Sequence, residues 1–465
     1  MNIILNTVKR IIPKKIFASL QPKYHYALSW LAAFIYRNPS DKLIVIGVTG
    51  TTGKTTSTYL IAKTLSGLGY KVGFTSTAML GDGQKEWLND KKMTMPGRLF
   101  VQSMLSRMVK NGCQYAIVET TSEGIRQFRH RFINYDILVF TGLYPEHIES
   151  HGGFDNYKAA KGKLFEHLKN CKVKYVDLEK KIADTSNSLK KLDLERVKKT
   201  SIYNLDDEHV EYFAKFWSEE KIGFTQHDLA SSRELEVLKY DHIESKQSGL
   251  SFQVDSTKFN LKIVGAFNAA NAMTAVAVAK AQGKELSRIK ASLERVTGIP
   301  GRLERIDAGQ PFTVVVDYAF EPNAVEKLYE TVGLIPHSRK IHVLGAAGGG
   351  RDTSRRPILG RIAGEQADVV IVTNEDPYDE NPEIIADQVI VGAEKAGKIM
   401  GDNLFKVMDR RTAINKALSL AENNDIVLIT GKGSEQGIVL AHGRIEPWDD
   451  RKVVREELKS LKSKD

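Results

Sequence analysis

The chain is expected to fold as two α/β units: a central ATPase-type domain with a phosphate loop and a mainly parallel sheet, then a Rossmann-like α/β domain. Three observations predict this. Apolar strand-like runs alternate with helical patterns from residue 42 to about 297, as in a parallel sheet covered by helices. The alternation breaks at Gly298-Ile-Pro-Gly301 and restarts beyond it. The first run, 43–48, passes directly into Gly50-Thr-Thr-Gly-Lys54-Thr-Thr and then a helical pattern, the context in which such a loop binds phosphate. The implied boundaries are 1–41 for a basic helical segment, 42–298 for the ATP-binding domain and 299–465 for the carboxyl-terminal domain.

With 465 residues the chain can bury more than one core. Its formal charge of +10 suits phosphorylated substrates or an anionic membrane surface as well as nucleic acid. No aromatic-and-basic RNA motif, zinc finger or basic recognition helix is present in the sequence, so nucleic acid is not an expected partner. Cys113 and Cys171 lack metal-site spacing and argue for a reducing compartment, hence the cytoplasm.

Residues 1–41 carry Lys9, Arg10, Lys14, Lys15, Lys23 and Arg37 around one apolar run, 26–36. That run is shorter than the ~20 residues that span a bilayer. No small-residue cleavage site follows it, against a signal peptide. Two readings stand: a helix docked on the first domain, or a basic amphipathic segment making peripheral contact with the inner membrane surface. Strands are then expected at 43–48, 71–77, 115–119, 137–141 and 174–177, with helices near 55–68, 98–111 and 155–169. Residues 178–262 are more charged and less periodic and close in a hairpin, 250–254 with 258–263; helices follow at 268–281 and 285–295. In the second unit strands are expected at 313–317, 340–344, 369–373 and 426–430, with helices at 322–332, 358–366, 382–396 and 410–421. Its Gly345-Ala-Ala-Gly-Gly-Gly350 turn lacks GxGxxG spacing, so it suits a close backbone approach better than a dinucleotide fingerprint.

In the phosphate loop, Gly50 and Gly53 let backbone N–H groups curl around an anion, and the helix from about Thr55 points its positive end at it. Lys54 then reaches the outer phosphates and the Thr55 hydroxyl a magnesium ion, with Thr51, Thr52 and Thr56 completing the cradle. The GxxxxGK[ST] template would place a glycine where Val48 stands, so this loop is a shorter variant. Glu119, at the carboxyl end of the neighbouring strand, is where a second magnesium ligand belongs. Glu146-His147-Ile-Glu149-Ser-His151 could bind a metal or equally be loop polarity. Lys161, on an amphipathic pattern, is by itself one solvated lysine among many.

These stretches recur with Glu119-Thr-Thr-Ser122, Asn204-Leu-Asp-Asp207, Gly265-Ala-Phe-Asn268-Ala-Ala-Asn271, Pro300-Gly-Arg302, Asp317-Tyr-Ala319, Gly349-Gly-Arg351-Asp352, Asp376-Pro377, Gly431-Lys-Gly433 and Trp448-Asp-Asp-Arg451. In that order they resemble the Mur ligases, ATP-dependent amide-forming enzymes of peptidoglycan precursor synthesis. The likeness is greatest to members adding the third amino acid to UDP-N-acetylmuramoyl-L-alanyl-D-glutamate, and it covers about residues 43–455. It implies ATP and two magnesium sites, with Lys54, Lys161, His147 and Arg302 catalytic. It gives Thr55, Glu119, His147 and a carbamylated Lys161 to the metals, Asn271 to adenine, Arg302 to the γ-phosphate and Asp317 to ribose. Thr94, Thr121, Ser122, Arg129, Arg351, Asp376, Tyr378, Gly431 and Glu435 fall to the substrates: a UDP-muramoyl-peptide or similar carboxylate, and an amino acid. A monomer is expected. Related readings are a ligase lengthening another carboxylate, of folylpolyglutamate, poly-γ-glutamate or lipid-linked type, and an inactive nucleotide-binding interaction protein.

The sequence departs from the family pattern in six places. A basic 40-residue segment stands where the family has a UDP-binding domain of about a hundred residues. Glu123 and Gly142 replace a histidine and an asparagine; Phe320-Glu321-Pro322 and Ser434-Glu435 replace His-Thr-Pro and His-Glu. Glu375-Asp376-Pro377-Tyr378 replaces the Asp-Asn-Pro-Arg of diaminopimelate-adding members. A tyrosine cannot supply the charged fork that grips a distal carboxylate, so a different or differently bound acceptor is expected.

Overall fold

The computed structural model describes residues 14–145, 151–183 and 194–462. Its first unit is organised by thirteen strands: β1 (Ile44–Thr49), β2 (Val72–Thr75), β3 (Met79–Asp82), β4 (Glu86–Leu88), β5 (Tyr115–Glu119), β6 (Ile137–Phe140), β7 (Lys174–Val176), β8 (Glu195–Val197), β9 (Thr200–Asn204), β10 (Glu220–Thr225), β11 (Glu236–Lys246), β12 (Gly249–Val254) and β13 (Thr257–Leu261). Eleven of them form one sheet in the order β13-β12-β11-β10-β9-β6-β1-β5-β2-β3-β4. The run from β11 to β2 is parallel, and antiparallel strands finish both margins.

The centre follows from composition. β1 is Ile-Val-Ile-Gly-Val-Thr, buried on both faces between β5 and β6, as a strand under helices on both sides must be. On one side the helices Lys54–Gly67 and Asn268–Ala281 cover it; on the other lie Arg98–Lys110 and Phe154–Leu168. Gly47 has no room for a side chain, since a Cβ there would lie 2.8 Å from Leu138 and Tyr135.

Two differences from the sequence reading have physical causes. The stretch 178–262, read as weakly periodic, supplies five of the main sheet's strands, β9 to β13. Segments such as Thr200–Asn204 and Glu220–Thr225 mix polar and apolar residues although each is paired on both sides, so residue pattern alone does not mark them as interior strands. The expected strand at 174–177 does not join the sheet; β7 pairs with β8 in a separate two-stranded sheet. Lys174 begins β7 and turns inward: its ammonium donates to Asp136 at 2.6 Å and to the Leu43 and Asn134 carbonyls. Lys199 meets the other Asp136 oxygen at 2.8 Å, so one buried carboxylate is balanced by two buried ammonium groups.

The helix Lys14–Ile35 docks on this unit. Ser29, Ala32 and Ala33 are buried, and Tyr26 packs edge-on against Phe128 and Phe132 with ring centroids 5.8 and 5.1 Å apart.

The second unit holds β14 (Glu304–Ile306), β15 (Thr313–Val316), β16 (Lys340–Leu344), β17 (Val369–Val372), β18 (Leu404–Lys406) and β19 (Ile426–Ile429), in the order β14-β15-β19-β16-β17-β18. All neighbours are parallel except β14 with β15. A hairpin, β20 (Gly437–Val439) with β21 (Ile445–Pro447), and a final helix, Asp450–Lys462, complete it. The final helix packs Val453, Val454 and Leu458 onto the sheet and is held by Asp450, whose carboxylate takes both Nε and Nη2 of buried Arg410. The carboxyl ends of β1 and β5 and those of β15, β16, β17 and β19 carry the loops described next.

Candidate functional site

The phosphate loop leaves β1 at Thr49 and enters the helix at Lys54. Gly53 adopts φ 76°, in the left-handed region, and a Cβ there would lie 2.3 Å from Asn271 Oδ1. At Gly50 a Cβ would lie 2.0 Å from Thr141 Oγ1. The loop is therefore a cradle that only backbone can line. It is pinned from outside: Thr51 N donates to the Gly142 carbonyl at 2.8 Å, and Thr141 Oγ1 to the Thr52 carbonyl at 2.6 Å. Lys54 Nζ lies over the loop, donating to the Thr51 carbonyl at 2.5 Å. Thr56 is buried behind it. Asn271 is held by Asn268, its Nδ2 donating to that Oδ1 at 2.9 Å.

Next to the loop, Thr55 Oγ1 lies 3.1 and 3.0 Å from the two oxygens of Glu119. Glu119 is buried and also accepts from Thr77, from its N–H at 2.8 Å and its hydroxyl at 3.0 Å. Thr77 Oγ1 in turn pairs with Thr94 Oγ1 at 2.7 Å. A buried carboxylate ringed by hydroxyl oxygens beside a phosphate cradle is the oxygen-rich donor set a hard divalent cation takes. Lys161 is 1% exposed: the helix Phe154–Leu168 turns it inward, where its Nζ donates to the Gly50 carbonyl at 2.7 Å and lies 4.5 Å from the Tyr157 ring centre. It is not the solvated lysine its sequence position suggests. His147 lies outside the described residues. His151 is described, with Nε2 3.1 Å from Ser122 Oγ; burial first, and Arg126 second, hold its imidazole below the usual histidine range. Among the described residues no cluster of three His, Cys, Asp or Glu side chains stands ready for a metal.

Further along, Thr121 caps the helix Ser122–Arg126, accepting from Gly124 N at 3.1 Å. Arg129 follows, buried, with its Nη1 donating to the Met95 carbonyl and its Nη2 to Gln127 Oε1 at 2.7 Å. Its Nε is buried with no hydrogen-bond partner among the described residues.

The second unit brings its own set. Arg302 reaches back across the domain boundary, with Nη2 3.5 Å from Thr55 Oγ1 and its guanidinium 4.3 Å from the Tyr318 ring centre. Asp317 accepts from Leu303 N and Ala319 N, both at 2.6 Å, and burial raises its carboxyl above the usual range despite Arg302 nearby. At the ends of β17 and β19, Lys432 Nζ donates to Asp376 at 2.8 Å and Glu435 at 2.6 Å. Tyr318 Oη donates to the other Glu435 oxygen at 3.2 Å. Arg351 lies 5.8 Å from the Tyr378 ring centre with Nη2 3.4 Å from its hydroxyl. Glu375 is buried, its Oε2 has no hydrogen-bond partner among the described residues, and burial raises its carboxyl. Gly431, at φ 100°, leaves space there; a Cβ would lie 2.5 Å from that oxygen.

The residue that sequence reasoning missed is Lys92. It belongs to the first unit, yet its ammonium sits in the second, donating to Asp376 at 3.0 Å, to Glu435 and to the Gly437 carbonyl at 2.8 Å. Two carboxylates and a carbonyl satisfy the three hydrogens of an ammonium group. Nothing around Lys91-Lys92 marks either lysine in the sequence. Lys92 and Thr94 share one loop, so the contacts close into a ring: Glu119, Thr55, Arg302, Tyr318, Glu435, Lys92, then along the loop to Thr94, Thr77 and Glu119 again.

The comparisons with known proteins agree with this arrangement. Residues 48–199 and 188–279 match the Mur ligase middle domain, and 301–433 the Mur ligase, glutamate ligase domain. The chain is 37% identical over 448 residues to a UDP-N-acetylmuramyl-tripeptide synthetase of Roseiflexus sp. (strain RS-1), covering 95% of this chain and 83% of that protein. It is 33% identical over 442 residues to the UDP-N-acetylmuramoyl-L-alanyl-D-glutamate–2,6-diaminopimelate ligase of Syntrophomonas wolfei, with 94% and 83% covered. Among solved structures, a UDP-N-acetylmuramoyl-L-alanyl-D-glutamate–2,6-diaminopimelate ligase superposes with a TM-score of 0.57 at 25% identity, over 90% of this chain and 79% of that one. A Mycobacterium tuberculosis folylpolyglutamate synthase at 16% identity shares the fold, with a TM-score of 0.63 over 89% and 92% of the two chains. The matched domains account for both α/β units and for the loops that meet between them, and the chain belongs to the Mur ligase family.

Proposed function

We propose that this protein is an ATP-dependent amide ligase that adds an amino acid to a UDP-N-acetylmuramoyl-peptide in peptidoglycan precursor synthesis, working in the cytoplasm as a monomer. The observation that carries the reading is the ring of contacts joining the Thr55–Glu119 pair to the Asp376–Glu435 pair through Arg302 and Lys92. It puts a phosphate cradle and an ammonium-holding acidic site on one cleft. Such a cleft suits a reaction in which a phosphorylated acyl group meets an amine.

In the proposed reaction a substrate carboxylate oxygen attacks the γ-phosphorus of ATP, ADP leaves, and an acyl phosphate results. The amine then attacks the acyl carbon, phosphate departs with the bonding pair, and the amine loses its proton. A carboxylate and a triphosphate repel one another, so the first step depends on cations aimed at the transferring group. Lys54 and Arg302 are those cations. Magnesium, which Thr55 and Glu119 would hold, supplies further neutralisation, and His147 with a carbamylated Lys161 would serve a second ion. Lys161 suits carbamylation because it is buried against the loop rather than solvated. Arg129, Thr94, Thr121 and Ser122 line the donor side. Asn271 serves adenine and Asp317 ribose. Arg351 and Glu435, with Asp376, Gly431 and Tyr378 around them, take the carboxylate and amine of the incoming amino acid.

The test is phosphate release from ATP with UDP-N-acetylmuramoyl-L-alanyl-D-glutamate and a panel of amino acids. Release that requires both partners, with the tripeptide product seen by mass spectrometry, is the expected result. Folded protein that shows no stimulation by any pair would sink the proposal. Lys161→Ala should lose turnover and regain part of it with added short-chain carboxylic acids, whereas a non-catalytic nucleotide-binding scaffold would be indifferent.

A further inference from the structure

The helix Lys14–Ile35 buries one side on the first unit and turns a bulky apolar stripe outward. Leu20, Tyr24, Trp30, Leu31, Phe34 and Ile35 are each between 40% and 65% exposed. Trp30 and Phe34, one turn apart, stack with centroids 5.6 Å apart and planes within 16°. Single exposed apolar residues are ordinary on a protein surface; six large ones along one helix mark a contact surface.

The charges in the amino-terminal sequence say what covers it. Residues 1–40 contain Lys9, Arg10, Lys14, Lys15, Lys23 and Arg37, and no Asp or Glu at all. A second copy of the chain, packed stripe to stripe about a two-fold axis, would bring two such segments together with no acid in either to offset them. An anionic surface has the opposite requirement. Trp and Tyr, each apolar with one polar edge, suit the boundary between headgroups and acyl chains. No described helix is long and apolar enough to cross a membrane, so the helix would lie in the surface plane.

We propose that this stripe docks the protein on an anionic phospholipid bilayer. The geometry then fixes which part of the cleft faces the lipid. Tyr26, on the same helix, rests on Phe128 and Phe132, which flank Arg129. On the proposed function, which gives Arg129 to the donor side, that side of the cleft would then lie next to the membrane. The docking itself does not depend on the ligase reading, because its readout is vesicle binding; only the orientation of the cleft rests on that reading.

The experiment is co-sedimentation of the full chain with vesicles of phosphatidylglycerol and phosphatidylethanolamine, against vesicles of phosphatidylcholine alone. Partition onto the anionic vesicles should be at least tenfold stronger and fall steeply with added salt. The double variant Trp30→Glu with Phe34→Glu should lose that partition while keeping the wild-type rate of phosphate release with soluble substrates. Lys14→Glu with Lys15→Glu should weaken it in the same direction if the first variant misfolds. Equal partition onto both vesicle types, partition that ignores salt, or the stripe variant binding as well as wild type would each overturn the proposal. So would a wild-type dimer in sedimentation velocity that the stripe variant abolishes, which would give the surface to a second copy.

Discussion

At the phosphate end of the cleft, Thr51, Lys54 and Thr55 lie within one short loop, and the conformation is imposed by backbone that no side chain could replace at Gly50 or Gly53. At the acceptor end, Lys92, Tyr318, Asp376, Lys432 and Glu435 come from four separate stretches of sequence, and what holds them is charge balance among buried groups. The first end can be rigid because its ligand, a polyphosphate, never changes. In the proposed reaction the second must admit one amine and refuse others, and side-chain charges are the means of doing so. Variants at the two ends should therefore fail differently.

Lys54→Ala is the largest expected effect: about a thousandfold loss in phosphate-release kcat, the same for every acceptor, as for removal of a preorganised charge from a transferring phosphoryl group. Arg302→Ala should cost about a hundredfold, because Arg302 reaches Thr55 from the second unit and also stacks on Tyr318. Steady-state kinetics with two acceptors decide the matter. A loss that depends on which amino acid is offered would break the division between the ends.

How much of this was legible follows from the same contrast. The loop could be read because its chemistry is local: a buried strand, two glycines and a lysine in seven residues dictate an anion cradle. The two α/β units were legible in their central strands, where runs such as Val369–Val372 and Ile426–Ile429 are apolar throughout. They were not legible in β9 and β10, which are paired on both sides yet carry polar residues that a pattern search discounts. Lys161 became distinctive only once the helix turned it against Gly50, and Lys92 only once the loop crossed to Asp376. Neither partnership leaves a mark in local sequence, because each depends on residues more than a hundred positions away.

Tyr378 tests the acceptor end by adding function rather than removing it. It holds φ 53°, which a non-glycine residue tolerates only when its surroundings fix it, and its hydroxyl meets Arg351. Tyr378→Arg would put a second guanidinium beside Arg351. The expected outcome is about a tenfold gain in kcat/KM for an acceptor with a distal carboxylate, such as diaminopimelate, over one without, since a charge-assisted pair is worth about 1.5–3 kcal/mol. Lys54-dependent turnover should be unchanged. No change in the ratio between acceptors would mean that this position does not sense the distal group.

The smallest effect isolates the tie between the units. Lys92→Met should destabilise the protein by only about 1 kcal/mol near neutral pH, because Lys432 still serves both carboxylates. The pH dependence of that difference carries the information. Burial works to raise Asp376 and Glu435, but Lys432 and Lys92 outweigh it and hold both carboxyls below the usual carboxylate range. Groups depressed in the folded state contribute stability above their unfolded pKa, about 4, and lose it as pH falls through the folded values. Lys92 is itself held below the usual lysine range, by burial first and the neighbouring Lys432 second, so it gives up its proton early as pH rises. The gap in thermal midpoint between wild type and Lys92→Met should thus close on the acid side, as the carboxylates protonate, and widen on the alkaline side, where the folded protein has released the Lys92 proton while the unfolded chain still holds it. A gap that stays constant from acid to alkali would mean that Lys92 acts through packing of its stem and not through its charge.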